Sequence, residues 1–507
     1  MAQDLPPPYT ALTWHPMLPR TSHDESARFN FLAHLNRYLS GTLGPGNRLA
    51  YESRVLPTFR AERGRDPEHR YEIRDAMNQD PFHRMWSALK RNSMEMRQQN
   101  GRQTVLRQLD ELDALARQFN EHSGMLELDP AIQQPGYQTA VDIHCQPGGY
   151  HGEERPGDVS AGANYDVGIF ATTGGALGGL NDGGGQAVVA WAKKERLDWR
   201  PTRILDVGCT VGHNAVPIAL AYPEAEVIAI DTAAASLRYG AARAAGLGAR
   251  NIRFVQANGE DLSRFPDAHF DWVQTTMFLH ELSAKSMPRL LAECHRVLKP
   301  GGLILHVEQP QYSDAMPLFE QFLRDWDAFN NNEPFWSAMH GQDLKEVMAR
   351  AGFPRDSQFV VGVKAVVDRS IFPAAESDAQ EDYGRGWCRL RGDRPGGCGR
   401  RGGQSVGARG GFGADFGPRS GHVRASDQRR RHGPWAGRHS GAEGRRCHAA
   451  GAVRADGRIG GRTGDRDAGA GQSGDGARAA DRDGSRAARG TRDCRCPAGG
   501  SPDVRRG

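Results

Sequence analysis

The sequence predicts an α/β fold: a parallel sheet covered on both faces by helices. Three observations predict it. Short apolar strand candidates alternate with helix-period segments between about residues 186 and 351. The first of these strands runs straight into a glycine turn and a helix start, Ile204-Leu205-Asp206-Val207-Gly208-Cys209-Thr210-Val211-Gly212-His213. A second strand ends in another acid, Asp231, about twenty-five residues after Asp206.

Strand candidates fall at 203–207, 226–230, 252–256, 272–275 and 303–307, with helices near 186–197, 213–222, 233–244, 284–297 and 343–351. The segment Phe359 to Val367 adds at least one more strand, with an antiparallel orientation as one option. Residues 131–375 form this core. Residues 1–130 read as polar and helical. Ser22-His23-Asp24-Glu25 fits a capping box, and Phe31, Leu32, Leu35, Tyr38 and Leu39 then share one helix face, with Gly41 as the stop. A further helix near 102–119 carries Val105, Leu109, Leu112 and Phe119.

Composition bounds the rest. The chain has 507 residues, a net charge of +4 and 38% hydrophobic residues, and its mean hydropathy is −0.63. That hydropathy is low for one compact body, and the segment 376–507 is of low complexity. Gly, Arg, Ala and Asp dominate there, with too few large apolar residues to offset the entropy of ordering, so the segment reads as a disordered tail. Beyond residue 385 it has no Lys, Met or Asn. Such a bias fits a GC-rich gene translated in a shifted frame from near Gly386-Trp387. A shifted frame is expected to remove the strand that closes a sheet of this kind and to leave a poorly soluble edge. The interspersed Asp weakens the rival reading, an Arg/Gly-rich nucleic-acid tail. The eight cysteines form no CxxC pair, so neither a metal site nor a disulfide framework is expected. No apolar run reaches spanning length and the N-terminal stretch lacks a signal-type core, which predicts a cytoplasmic protein.

Chemistry gathers at the strand ends. Gly208 and Gly212 permit a tight turn and expose helix N-terminal amides. Asp231 suits two ribose hydroxyls. Gln256-Ala257-Asn258-Gly259-Glu260-Asp261-Leu262 offers amide and carboxylate groups to an adenine edge. The fourth strand ends in Thr275-Thr276-Met277-Phe278-Leu279-His280-Glu281, and Leu298-Lys299-Pro300-Gly301-Gly302 marks a helix end and turn.

In this order and spacing, residues 186–310 resemble the class I S-adenosylmethionine-dependent methyltransferases of the small-molecule, type 11/25-like sort. The resemblance implies a three-layer Rossmann-like sheet and S-adenosylmethionine as cofactor. It implies that Asp206, Gly208 and Gly212 line the methionine end, that Asp231 holds the ribose, that Asn258, Gly259 and Glu260 surround the adenine, and that Thr276 to His280, Met277 among them, face the sulfonium and the acceptor. The family has a glycine where this chain has Thr210. The expected acceptor is a small, apolar or aromatic molecule, with O-methylation ahead of C-methylation; nucleic acid and membrane are not expected partners. The in-line displacement needs a base only where the nucleophile must lose a proton. His280 is the candidate catalytic residue, with Glu281 as its orienting group or merely a helix-start acid. The rival from another class is a non-catalytic cofactor-binding partner or regulator. An NAD-dependent oxidoreductase is disfavoured because the Gly208 turn lacks GxGxxG spacing.

Three further segments stand out. His144 to Tyr165, with Cys145, Tyr150 and His151, reads as a flap over the site. Thr173 to Gly185 is a glycine-rich loop without the Lys-Ser/Thr of a phosphate loop. The aromatic insertion 311–340 reads as a helical cap and an apolar lid. Pro6-Pro7-Pro8-Tyr9 resembles the Asn/Asp-Pro-Pro-Tyr loop of adenine and glutamine N-methyltransferases, but it sits at the wrong end of the chain.

Overall fold

The computed structural model describes residues 5–362 in full and the backbone alone at 365–366, 379–380 and 388–393. Helices α1 (His23–Tyr38), α2 (Gly44–Ala50), α3 (Leu56–Arg63), α4 (Arg70–Met77), α5 (Pro81–Leu106) and α6 (Leu109–Ser123) come first, followed by a short strand β1 (Leu126–Glu127). After a stretch of tight turns come α7 (Ser160–Thr173), α8 (Gly183–Glu195), β2 (Arg203–Val207), α9 (Ala215–Ala221), β3 (Glu226–Asp231), α10 (Ala234–Gly246), β4 (Ile252–Gln256), β5 (Phe270–Thr276), α11 (Ser286–Val297) and β6 (Leu298–Glu308). The insertion holds α12 (Leu318–Arg324), α13 (Trp326–Asn330) and α14 (Trp336–His340), and α15 (Leu344–Arg350) leads to β7 (Phe359–Gly362). Backbone strands β8 (Ala365–Val366) and β9 (Ala379–Gln380) pair with each other, and β10 (Cys388–Asp393) joins the main sheet.

The main sheet runs β1-β4-β3-β2-β5-β6-β10-β7. Strands β1 to β6 are parallel, and β10 is antiparallel to both β6 and β7. The chain reverses its direction of growth between β2 and β5, which opens a crevice at their carboxyl ends. Apolar strands with both faces buried explain the near-continuous hydrophobic runs. Val227 and Ala229 face one core with Val188, Leu237 and Trp272. Ile228 and Ile230 face the other with Leu290, Met348 and Phe353. A third cluster joins α1, α5, α6, α7 and α10 through Phe29, Leu112, Phe170 and Tyr239. The N-terminal helices and the sheet thus make one compact unit. No helix among the described residues is long and apolar enough to cross a membrane.

Several expectations need correction. The capping box is present, with Ser22 and Glu25 bonded reciprocally. The buried face of α1, however, is Phe29, Leu32 and Ala33, and Phe31 and Tyr38 point to solvent. Gly41 stops nothing: it lies inside a π-turn, Leu39–Leu43, that carries the helix on into α2. The helix near 102–119 is two helices, broken at Arg107-Gln108. β1 was not foreseen at all; two residues make too short a pattern to read. The expectation of an empty closing position is also corrected, because the backbone of Cys388–Asp393 fills it between β6 and β7. The remainder of the 376–507 segment, apart from β9, lies outside the described residues.

Candidate functional site

A cavity of about 440 Å³ opens at the crevice, a size typical of small-molecule sites. Three loops from the sheet form one wall: Gly208 to Val211 after β2, Asp231 to Ala233 after β3, and Thr276 to Phe278 with His280 and Glu281 after β5. The N-terminal helices supply another, with Asn36, Ser40, Lys90, Met94 and Arg97. The 143–165 segment contributes His144, Tyr150, His151 and Tyr165, in keeping with a flap.

The turn after β2 needs its glycines. Gly208 and Gly212 have φ of 76° and 78°, and a side chain at Gly208 would collide with the Phe278 ring. Thr210 sits at φ 49° although it is β-branched, a conformation that costs energy. Of seven described non-glycine residues with positive φ, four (His144, Asn181, Thr210 and Met277) line this cavity. Backbone strain is therefore concentrated where a ligand would sit.

Asp231 accepts from the amides of Thr210 at 2.9 Å and Ala233 at 3.0 Å, which fixes both carboxylate oxygens toward the turn. Burial raises its pKa despite those bonds. Asp206 lies buried behind the turn, and its Oδ2 has no hydrogen-bond partner among the described residues. Burial, helped by the nearby Asp231 charge, pushes its carboxyl up to about 8.

The tip of β5 carries the second cluster. His280 Nδ1 meets Glu308 Oε2 at 2.7 Å. Glu308, at the end of β6, also accepts from the amides of Phe278 (2.8 Å) and Leu279 (2.6 Å), so one carboxylate holds the whole turn. The other ring nitrogen, Nε2, stands 4.0 Å from Glu281 and 3.9 Å from Glu333. Trp336 packs edge-on against the imidazole at 4.8 Å between centroids. Burial opposes a charge on His280, but the Glu308 carboxylate outweighs it and raises the pKa to about 9. His144 bridges Glu333 (3.0 Å) and Glu281 (3.4 Å), and Tyr150 donates to Glu281 at 3.3 Å.

The predicted residues divide. Gly208, Asp231, Met277 and His280 line the cavity together; Asp206 and Gly212 lie behind its wall. Asn258, Gly259 and Glu260 do not reach it. Glu260 is engaged by Arg289 and by the Tyr137 hydroxyl at 3.0 Å, and a side chain at Gly259 would meet Leu290 and Val207. Glu281 is not the group that orients His280: Glu308 is. The insertion is also corrected. Phe319 and Phe322 pack on Val55, Ile73 and Met77, and Trp326 packs with Leu39 and Trp86, so these aromatics anchor it to the N-terminal helices. What it shows the cavity is Asp327, Asn331, Glu333 and Trp336. Tyr9, from the triple-proline segment, stacks on Phe29 in the core.

Sequence reasoning missed Glu308, Glu333 and Arg97. For Glu308 a signal existed, since an acid ending a parallel strand is what singled out Asp231. Glu333 and Arg97 reach the cavity only through tertiary packing.

A family model described as a methyltransferase domain matches residues 204–302. The demethylmenaquinone methyltransferase of Geobacillus kaustophilus is 29% identical over 167 residues, which cover 30% of this chain and 70% of that protein. The ubiquinone/menaquinone biosynthesis C-methyltransferase of Azotobacter vinelandii is 32% identical over 173 residues, 31% of this chain and 67% of that protein. Among solved structures, an O-methyltransferase family protein from Burkholderia thailandensis aligns with a TM-score of 0.33 and 16% identity over 47% of this chain and 60% of that one. With its sheet order, its Asp206 to Gly212 turn and its sequence kinship to the Azotobacter enzyme in hand, the chain belongs to the class I S-adenosylmethionine-dependent methyltransferases.

Proposed function

We propose that the chain moves the methyl group of S-adenosylmethionine to a hydroxyl oxygen of a small, apolar or aromatic acceptor, with His280 taking the proton. The observation that carries this reading is the His280–Glu308 pair at 2.7 Å, set at the mouth of β5 with Nε2 uncommitted to a hydrogen bond. A carboxylate on Nδ1 fixes the ring's orientation and, once the ring has lost its second proton near pH 9, leaves Nε2 to accept.

The residues suit the cofactor. Two acids, buried Asp206 and half-buried Asp231, face no described cation within ion-pair distance, and one oxygen of Asp206 has no hydrogen-bond partner among the described residues. A cationic, hydroxyl-bearing nucleoside answers both. When bound, S-adenosylmethionine supplies a methyl already activated on sulfur. This chain's residues then have to bind, align and exclude water. Asp231 takes the ribose hydroxyls. Asp206, whose carboxyl burial pushes up to about 8, offers an acceptor behind the Gly208–Gly212 turn, toward the methionyl end, and a bound cation would favour its ionised form. Met277 borders the sulfonium. Asn258, Gly259 and Glu260 remain the adenine end of this reading, which requires Tyr137 to release Glu260. The aromatic face of Trp336 and the covering helices limit water. The cytoplasm is the setting that goes with this reading.

A ring carbon is the second acceptor atom, supported by the C-methylation in the name of the Azotobacter relative. A phenolic hydroxyl beside that carbon would lose its proton to the same base.

The test is turnover on a panel of phenols with mass-spectrometric location of the methyl. His280→Asn is expected to lower kcat by roughly 10²–10⁴ while calorimetric binding of S-adenosylhomocysteine holds. Undiminished turnover removes His280 from the mechanism. Cofactor binding by the parent chain with no turnover on any oxygen or carbon acceptor favours a non-catalytic cofactor-binding role instead.

A further inference from the structure

The cavity is polarised. Its strand-tip wall is acidic, with Asp231, Glu281 and, from the insertion, Glu333. Its helical wall carries two cations, and they differ. Lys90 is engaged: its Nζ sits 3.9 Å above the Trp326 ring and 4.0 Å from an Asp327 oxygen. Arg97 is not. It is the one arginine among the wall residues and is only 5% exposed. Its Nε donates to the Gly168 carbonyl at 2.9 Å, and that is its single hydrogen bond among the described residues. No described carboxylate lies within ion-pair distance of its terminal nitrogens.

A buried guanidinium with most of its donors unused is costly unless something answers it. Its neighbours on α7 cannot. Gly168 offers one carbonyl, and Tyr165 offers a hydroxyl with no hydrogen bond among the described residues. Tyr165 lines the same cavity, its ring stacked on His213 at 5.5 Å. Burial pushes this phenol up to about 12, so at neutral pH it stays protonated and can donate. Burial also pulls Arg97 below its ordinary range, although a guanidinium remains charged there. Arg97 and Tyr165 thus bring unused donors to the same part of the wall. Planar guanidinium pairs best with a planar, two-oxygen anion.

We propose that Arg97, assisted by the Tyr165 hydroxyl, is a carboxylate receptor in the cavity, a reading that rests on the methyl-transfer function above. The carboxylate belongs either to the methionyl end of the cofactor or to the acceptor. In both cases α5 and α7 of the helical region select what the sheet loops then position.

Pairs of probes that differ only by a carboxylate separate the sources. In the first arm, calorimetry compares S-adenosylhomocysteine with its descarboxy analogue on the parent chain, Arg97→Gln and Tyr165→Phe. In the second, the chain saturated with S-adenosylhomocysteine is titrated with 4-hydroxybenzoate and with its methyl ester. If the cofactor supplies the anion, the parent prefers S-adenosylhomocysteine by roughly 100-fold or more and Arg97→Gln erases that preference, with Tyr165→Phe eroding it. If the acceptor supplies it, the preference appears for acid over ester and vanishes in the same variants. The parent-chain ratios stand even if Arg97→Gln does not fold. Equal binding with and without the carboxylate in both arms overturns the inference alone. A carboxylate preference that Arg97→Gln leaves intact overturns it too. Failure of the parent chain to bind S-adenosylhomocysteine at all overturns the functional reading as well.

Discussion

Two buried networks of histidine and carboxylate flank the cavity, and they are built to opposite ends. Around Asp166 of α7, every oxygen is spoken for. His15 donates at 3.0 Å, His213 at 2.8 Å, Tyr239 at 2.8 Å and Asn181 at 3.2 Å, with Arg243 at 3.5 Å. Burial works against this carboxylate's charge, but His213 and His15 outweigh it and hold its pKa well below the usual range. These partners come from the N-terminal segment, the β2 turn, α10 and the α7–α8 loop, so Asp166 is a clasp. Around His280 the network is left open. Glu308 is fully used, yet among the described residues neither Nε2 nor Glu333 Oε2, 3.9 Å apart, has a hydrogen bond. A satisfied network rigidifies; an unsatisfied one keeps capacity for a ligand.

Removing the clasp should have the largest effect. Asp166→Ala leaves the buried rings of His15 and His213 without their acceptor and strips Arg243 of its counter-charge, and is expected to cost about 3–5 kcal/mol of stability, read from denaturant melts. A variant within 1 kcal/mol of the parent would mean the network is ornamental. The open network should answer differently. Glu308→Gln removes the main attraction that charges His280 and puts an amide donor opposite Nδ1, while its remaining oxygen can still accept from Phe278 and Leu279. We expect kcat to fall by about 10²-fold or more and the pH–rate limb to move. In the parent that limb should rise as His280 loses its proton near pH 9, and in the variant it should rise at lower pH. An unmoved limb would assign it to another group.

Stability against pH sharpens the same contrast. His280 has a folded pKa of about 9 against 6.5 unfolded. Its contribution is therefore complete below 6.5 and is lost as pH climbs through 9. His83, His306 and His340 are buried neutral, held down to about 4, burial being the chief cause in each. The unfolded chain takes up their protons first, so stability falls as pH drops below 6.5. Melts across pH should show a maximum near 6.5, with stability falling on the acid side and again between about 6.5 and 9, and His280→Asn should make only the alkaline fall shallower. The smallest effect concerns Thr210. Replacing it by glycine relieves a left-handed β-branched residue, offset by the entropy of glycine, for a net change within about 1 kcal/mol either way. Cofactor affinity should hold or improve; a tenfold loss would show that the threonine side chain has a role of its own.

The sheet and its glycine turn were legible because their signals are local. Strand 203–207 is bounded by its own residues, and Asp206, Gly208 and Asp231 are fixed by strand ends and turn geometry. The capping box at Ser22 was legible for the same reason. What stayed hidden depends on distant partners. The face of α1 is chosen by α5 and α7, which want Phe29 rather than Phe31. The partner of His280 lies 28 residues on, across a neighbouring strand, and sequence adjacency pointed instead to Glu281. The insertion's aromatics could be counted but not aimed, because their direction is set by α4 and α5. Asn258 to Glu260 carried the expected pattern, yet Tyr137 and Arg289 occupy Glu260, and neither contact leaves a periodic trace.

Glu308 reaches His280 from one side of β6, while the other edge of that strand rests on β10, where Cys388 stands opposite Glu308 in the ladder. The proposed base is thus tied to backbone pairing eighty residues downstream. A chain trimmed ahead of residue 388 would keep every side chain of the cavity and still lose the rail that holds its base in line, and the bared strand would recruit other molecules by edge-to-edge pairing. Catalysis and solubility would then fail together, at the same truncation point.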